Sequence, residues 1–188
     1  GLMPDCAPMP LPPPLDLVCH PAAPDPCVRR IGVTVAREAD GGLDVRYRLE
    51  GGLDGLRLPA GGLPVERLWA HTCFELFVMA EGGEAYREFN FSPGGQWMCF
   101  DFSAYRARID SPAMPAPQLD WQRSGDALTL ALTLPASALP AGALRLGITA
   151  VVEHADGSHR YWALGHPPGK PDFHHRDGFA LALPATTP

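Results

Sequence analysis

Ser124-Gly125-Asp126-Ala127-Leu128-Thr129-Leu130-Ala131-Leu132-Thr133-Leu134 reads as a turn followed by a strand. Leu128, Leu130, Leu132 and Leu134 alternate with Thr129, Ala131 and Thr133, so one face is apolar throughout. A period of two is the signature of a half-buried β-strand, because successive side chains leave the backbone on opposite sides. The same period recurs upstream in Ile31, Val33 and Val35, and in Leu43, Val45, Tyr47 and Leu49, where Asp44, Arg46 and Arg48 take the other face. It recurs downstream in Leu144, Leu146 and Ile148. Asp40-Gly41-Gly42 stands before the Leu43 run, and Asp156-Gly157 separates 144–154 from 158–164 as a tight hairpin turn with positive φ.

No segment holds a capped 3.6-residue apolar period, and Pro135–Leu139 has room for one helical turn at most. Many short strands without intervening helices must pair antiparallel, since parallel neighbours need long crossovers. The expectation is an all-β, antiparallel two-sheet β-sandwich of immunoglobulin-like or jelly-roll type. The 22 prolines and 20 glycines suit strand ends and turns. Residues 1–16, with prolines at 4, 8, 10 and 12–14, read as a flexible proline-rich segment, 17–184 as one domain and 185–188 as a tail.

Lys+Arg 15 against Asp+Glu 21 leaves a net charge of −6 in 188 residues. That balance argues against nucleic acid and anionic membranes, which clustered basic side chains attract. No apolar run nears the ~20 residues that span a bilayer, and the N-terminus has neither a basic leader nor an apolar segment free of proline, so it reads as no signal peptide. The cysteines, Cys6, Cys19, Cys27, Cys73 and Cys99, are odd in number and lack C-x-x-C spacing. They point to free thiols in a reducing cytoplasm, without disulfide or zinc framework.

Two regions carry more chemistry than a plain sheet needs. In Leu68–Val78, strand alternation puts Trp69, His71, Cys73, Glu75 and Phe77 on one face and Leu68, Ala70, Thr72, Phe74, Leu76 and Val78 on the core face. The next strand places Tyr86, Glu88 and Asn90 together and Arg87 with Phe89 and Phe91; Ser92-Pro93-Gly94-Gly95 then turns into Gln96-Trp97. Aromatic rings beside carboxylate, amide and guanidinium groups suit a sugar, whose CH face stacks while its hydroxyls are hydrogen-bonded.

The second region is Tyr161–His175, where Pro167, Pro168 and Pro171 stiffen a loop bearing Lys170, Asp172 and three histidines. Gly165 to Lys170 is one residue short of a phosphate-binding loop, and Pro171 removes the needed N–H. His166, His174 and His175 are candidate metal ligands, and His71, His166, His174 and Met98 candidate axial ligands for haem, although their spacing matches no strong motif. Glu75 and Glu88 with His71 form a conceivable acid–base set for a hydrolase or lyase. No G-x-S-x-G and no glycine-rich dinucleotide fingerprint is present.

Trp69-x-His71-x-Cys73-Phe74-Glu75-Leu76-Phe77, followed by Tyr86-x-Glu88-Phe89-Asn90-Phe91-Ser92-Pro93-x-Gly95-x-Trp97, resembles a bacterial DOMON-like domain group, which is similar in turn to family 9 carbohydrate-binding modules. His166-Pro167-Pro168-Gly169-Lys170-Pro171-Asp172-Phe173-His174-His175 looks like the C-terminal signature of that group. The resemblance implies a β-sandwich whose relatives bind sugars or haem at one sheet face. The resulting expectation is a non-catalytic module that binds a carbohydrate-like small molecule. Trp69 and Trp97 would stack on it, His71, Glu75, Arg87 and Asn90 would hydrogen-bond it, and Lys170, Asp172 and His174 would close the rim. A haem- or metal-binding module built on the histidine loop is the second expectation, and the hydrolase or lyase the third.

Overall fold

The computed structural model describes residues 12–186; Cys6, most of the proline-rich segment and the last two residues lie outside that range. The strands are β1 (Leu15–Asp16), β2 (Val18–Cys19), β3 (Val28–Arg37), β4 (Leu43–Gly51), β5 (Cys73–Ala80), β6 (Tyr86–Phe91), β7 (Trp97–Ala104), β8 (Ala107–Ile109), β9 (Gln118–Ser124), β10 (Ala127–Leu134), β11 (Leu144–Glu153), β12 (His159–Ala163) and β13 (Leu181–Leu183). One sheet runs β1-β3-β4-β10-β9; the other runs β2-β12-β11-β5-β6-β7-β8, with β13 added beside β11. Every named pairing is antiparallel. The fold is therefore an all-β sandwich of two antiparallel sheets.

The alternating runs supply the core. Ile31, Val33, Val45, Tyr47, Leu49, Leu130 and Leu132 of the first sheet are buried against Phe74, Leu76, Val78, Phe89, Leu146 and Ile148 of the second. Tyr47 stacks on Phe74 with ring centroids 4.6 Å apart, and its hydroxyl donates to the Glu75 carbonyl at 2.6 Å, crossing the core to the other sheet. The turns fall where the glycines do. Gly41, Gly125 and Gly157 hold φ of 92°, 59° and 86°, the left-handed region that glycine enters without a Cβ penalty.

Two sequence expectations need correction. Val65–Ala70 is a kinked 3-10 segment, and the strand begins at Cys73. Trp69 therefore projects from a turn and not from the sheet. Leu15 and Asp16, assigned to a flexible segment, pair with Val33 and Gly32 of β3, so the sheet takes them in. Among the described residues no helix is long and apolar enough to cross a membrane. Among the described residues Cys19, Cys27, Cys73 and Cys99 are free.

Candidate functional site

Register decides which side chains share the outer face of the eight-stranded sheet. Glu75 pairs with Asn90 and with Thr149, Phe77 with Glu88, Glu88 with Phe100, Asn90 with Met98 and Tyr86 with Phe102. These residues stand on one side, while Phe74, Leu76, Phe89, Phe91 and Cys99 point into the core. Val151 and Tyr161 extend the outer face across β11 and β12.

A cleft of about 480 Å³ opens on this face. Glu75 and Glu88 form its floor, at 3% and 6% exposure. Its walls are the rings of Trp69, Phe100, Phe102, Tyr161 and Phe173, and Glu66, Arg106 and Arg108 stand at the mouth.

The long connection 52–72 brings Trp69 over the sheet. Gln96 anchors that connection with two bonds to Leu63, accepting from its N–H at 3.0 Å and donating to its carbonyl at 2.8 Å. A Cβ on Gly94 would lie 2.2 Å from Gly61 N, so the β6–β7 turn and the connection touch at a point only glycine allows. The Trp69 indole N–H donates to the Glu66 carbonyl at 3.2 Å, which fixes the ring while leaving the residue 46% exposed.

The floor is a polar network set in an aromatic shell. Thr149 donates to Glu75 Oε2 at 3.1 Å. The Asn90 amide serves either Glu88 Oε2 at 3.5 Å or, turned over, Glu75 Oε1 at 3.2 Å. His174 Nε2 lies 3.3 Å from Glu88 Oε1, and His174 Nδ1 lies 2.7 Å from the Tyr86 hydroxyl. The Tyr86 oxygen also accepts the Arg106 N–H at 3.1 Å, leaving its own proton free for His174 Nδ1. The consistent assignment is an imidazole that accepts at Nδ1 and donates from Nε2 to Glu88. Burial, and then the charge of Glu88, push the Glu75 carboxyl well above its ordinary value, with the Thr149 bond opposing.

The C-terminal loop closes one side of the cleft and is tied down along its length. His166 Nε2 donates to the Val18 carbonyl at 2.7 Å, and His20 Nε2 donates to the Gly169 carbonyl at 2.8 Å. Asp172 accepts from the Tyr105 hydroxyl and from Arg106 at 2.9 Å. Burial raises the Asp172 carboxyl, but these donors outweigh it, and the net direction is downward.

Of the residues singled out in the sequence, the cleft gathers Trp69, Glu75, Glu88 and His174, with Asn90 beneath Glu75. The others stand elsewhere. Arg87 lies on the opposite face of β6, paired to Asp101 at 2.6 Å and donating to the Ala138 carbonyl. Trp97 pairs with Phe91 and packs half-buried on the core. His71 Nδ1 lies 3.1 Å from Glu153 Oε1, at the β11 end of the sheet, so the proposed trio of His71, Glu75 and Glu88 does not assemble; the imidazole at Glu88 belongs to His174. Lys170 is exposed and outside the cleft lining. Asp172 holds the wall together through Arg106.

The metal expectation fails on geometry. His166 is bonded to Val18, His174 to Tyr86 and Glu88, and His175 Nδ1 accepts the Asp177 N–H. Among the described residues no group of three or more His, Cys, Asp or Glu side chains is placed to hold a metal ion. With His166 and His174 engaged in the protein, the loop's donor set does not fit an axial haem ligand either. Tyr161, Phe100, Phe102, Phe173, Arg106 and Arg108 line the cleft without having been singled out as ligand residues.

No family model matches the chain, and no curated protein matches it in sequence. Solved structures match in fold. A candidate carbohydrate-binding protein from Bacteroides uniformis superposes with a TM-score of 0.62 at 16% identity, covering 88% of this chain and 82% of that one. A family 9 carbohydrate-binding module from Caldicellulosiruptor kristjanssonii, solved with cellotriose, gives a TM-score of 0.58 at 10% identity over 82% of this chain and 75% of that one. The same module solved with glucose gives 0.57 at 9% identity, over 79% and 72%. At these identities the likeness establishes the architecture: the chain is similar in structure to family 9 carbohydrate-binding modules.

Proposed function

We propose that the cleft on the outer face of the eight-stranded sheet binds a carbohydrate-like small molecule and does no chemistry on it. One observation carries the reading: aromatic walls surround a floor of hydrogen-bonding side chains in a space of about 480 Å³. That volume is within the usual range of small-ligand sites. Flat rings beside fixed polar groups are what a pyranose requires, apolar contact on its CH face and directed hydrogen bonds at its edge. The fold shared with modules solved with cellotriose and glucose supports the same class of ligand. Trp69 and Tyr161 are the stacking rings, and Glu75, Glu88 and His174 the polar partners, with Asn90 holding Glu75. The unpaired thiols among the described residues suit a reducing compartment such as the cytoplasm.

Isothermal titration of the full chain with neutral and amino mono- and oligosaccharides tests this. The expected result is saturable binding of at least one sugar, weakened by up to about tenfold in Trp69→Ala, since stacking on an indole supplies about 0.5–1.5 kcal/mol. Absence of binding across the panel, or binding that neither Trp69→Ala nor Tyr161→Ala changes, would overturn the assignment.

A further inference from the structure

Glu75 and Glu88 present four carboxylate oxygens at the floor of the cleft, and the protein supplies three donors: the Thr149 hydroxyl, one Asn90 N–H and His174 Nε2–H. The Asn90 amide reaches one carboxylate in each of its orientations, so either Glu75 Oε1 or Glu88 Oε2 is always without a donor. Both side chains are more than nine-tenths buried and both line the cleft. The oxygen without a protein donor faces the cleft, where a donor on a ligand can reach it.

The basic side chains near the cleft are committed elsewhere. His174 is tied on both sides, Nε2 3.3 Å from Glu88 Oε1 and Nδ1 2.7 Å from the Tyr86 hydroxyl, so it has no ring nitrogen left for a ligand. The guanidiniums at the mouth are engaged elsewhere. Arg106 is paired to Asp172, and Arg108 lies over the Phe100 ring, 4.3 Å from its centroid. Arg67 sits similarly against Trp69 at 5.4 Å. Two rings of the cleft thus already hold cations on their faces, and a cation over an aromatic ring is attracted by the ring quadrupole. No lysine or arginine is paired to Glu75 or Glu88 among the described residues.

We infer that the ligand of this cleft carries a protonated amine, as an amino sugar with a free ammonium does, and that the ammonium sits on the floor between Glu75 and Glu88, ringed by the aromatic walls. The inference rests on the proposed sugar site and narrows its substrate class. An ammonium has three donors and no acceptor, which suits a surface made of acceptors; a sugar hydroxyl offers one donor and no charge. Burial and the neighbouring Glu88 charge push the Glu75 carboxyl upward, and a cation bound beside it opposes that shift by favouring the ionised form.

The test compares D-glucosamine, D-glucose and N-acetyl-D-glucosamine by isothermal titration of the full chain near pH 6, where the free amine is charged and the acetylated one is not. A hydrogen bond to a charged partner is worth about tenfold to a hundredfold in affinity. The expected result is glucosamine binding tighter than the other two by about that factor, with the advantage lost in Glu88→Gln. The wild-type comparison stands without any variant, so misfolding of Glu88→Gln would not blunt it. Equal binding of all three sugars would overturn the ammonium site and leave the sugar cleft standing. Binding of glucosamine without any neutral sugar would support it. No binding of any sugar would overturn the proposed function and this inference together.

Discussion

Tyr86 and His174 meet across 88 residues of chain, hydroxyl to Nδ1 at 2.7 Å, and the contact fastens the C-terminal loop to the floor of the cleft. The phenol stacks on Phe102 at 4.7 Å, and the imidazole meets Phe77 and Phe102 edge-on at 5.2 and 5.0 Å, so the bond lies inside an aromatic cluster. The same oxygen receives the N–H of Arg106, a non-glycine residue held at φ 53°.

Tyr86→Phe removes one hydroxyl and leaves two groups without a partner, His174 Nδ1 and the Arg106 N–H. A net loss of about 1–2 kcal/mol in urea unfolding is expected, the scale of one buried hydrogen bond plus an orphaned donor. Amide exchange at His174 and Arg106 should accelerate more than exchange in β3 or β4. An unchanged midpoint with unchanged exchange at both positions would show that the aromatic packing alone holds the loop.

Glu75 makes stability depend on pH in the sense opposite to most carboxyls. Its folded value is raised well above the ordinary 4.5, mainly by burial and then by Glu88. Between the two values the native state binds more protons than the unfolded chain, so stability falls as pH rises through that window. Glu75→Gln removes the titration and keeps the Thr149 bond through its amide oxygen. The variant should lose the downward slope and gain on the wild type at the upper end of the window. Thermal melts from pH 4 to pH 9 read this directly, and parallel curves for the two proteins would refute it.

The strands were legible because burial on one side enforces a period of two. Ile31 to Val35, Leu43 to Leu49, Leu128 to Leu134 and Leu144 to Ile148 all lie within strands, apolar side inward. Leu68–Thr72 misled because five residues cannot distinguish periods of two and three. Pro64 before the segment and the spacing of Val65, Leu68 and His71 fit a 3-10 turn equally well. The face of Trp97 was hidden in a turn count. Phe91 pairs with Trp97 across Ser92–Gln96, so Trp97 inherits the inward face already read for Phe89 and Phe91. The alternation of Tyr86, Glu88 and Asn90 placed these residues together correctly. Tyr161 and Phe173 reach the cleft through long-range register and loop docking, which no local pattern encodes.

Asp25 is a structural hub with no sequence signal beyond the flanking Pro24 and Pro26. Its Oδ1 accepts the N–H groups of Cys27 and Val28 at 2.9 Å each, and its Oδ2 accepts the Trp162 indole at 3.1 Å. His154 Nε2 lies 3.1 Å from Oδ1, and the Asp25 side chain is 1% exposed. Asp25→Ala therefore orphans three buried donors and should cost about 3–5 kcal/mol. Asp25→Asn keeps the acceptor for Cys27 and Val28 and should recover part of that loss. Chemical denaturation of the two variants decides it: equal stability would mean that the negative charge, and not the turn bonds, holds the segment.

Trp69 and Trp97 look alike in the sequence, each at the edge of an aromatic run, yet the fold separates them. Trp97 packs its ring on the core beside Phe91, while Trp69 stands 46% exposed over the cleft with only its indole N–H bonded, to Glu66. Removing a half-buried indole leaves a cavity against the core, so Trp97→Ala should cost about 2–3 kcal/mol, below the full range for buried tryptophan. Removing Trp69 deletes a ring that faces water and breaks one hydrogen bond, a loss of about 1 kcal/mol or less. The effects on ligand should invert: Trp69→Ala weakens sugar binding, and Trp97→Ala, measured at a temperature where it remains folded, leaves affinity within about twofold, the scale of a few tenths of a kcal/mol. Unfolding curves and titrations on the same two preparations test this. Weakened binding in a folded Trp97→Ala with unaltered binding in Trp69→Ala would move the ligand away from the cleft between Trp69 and Tyr161.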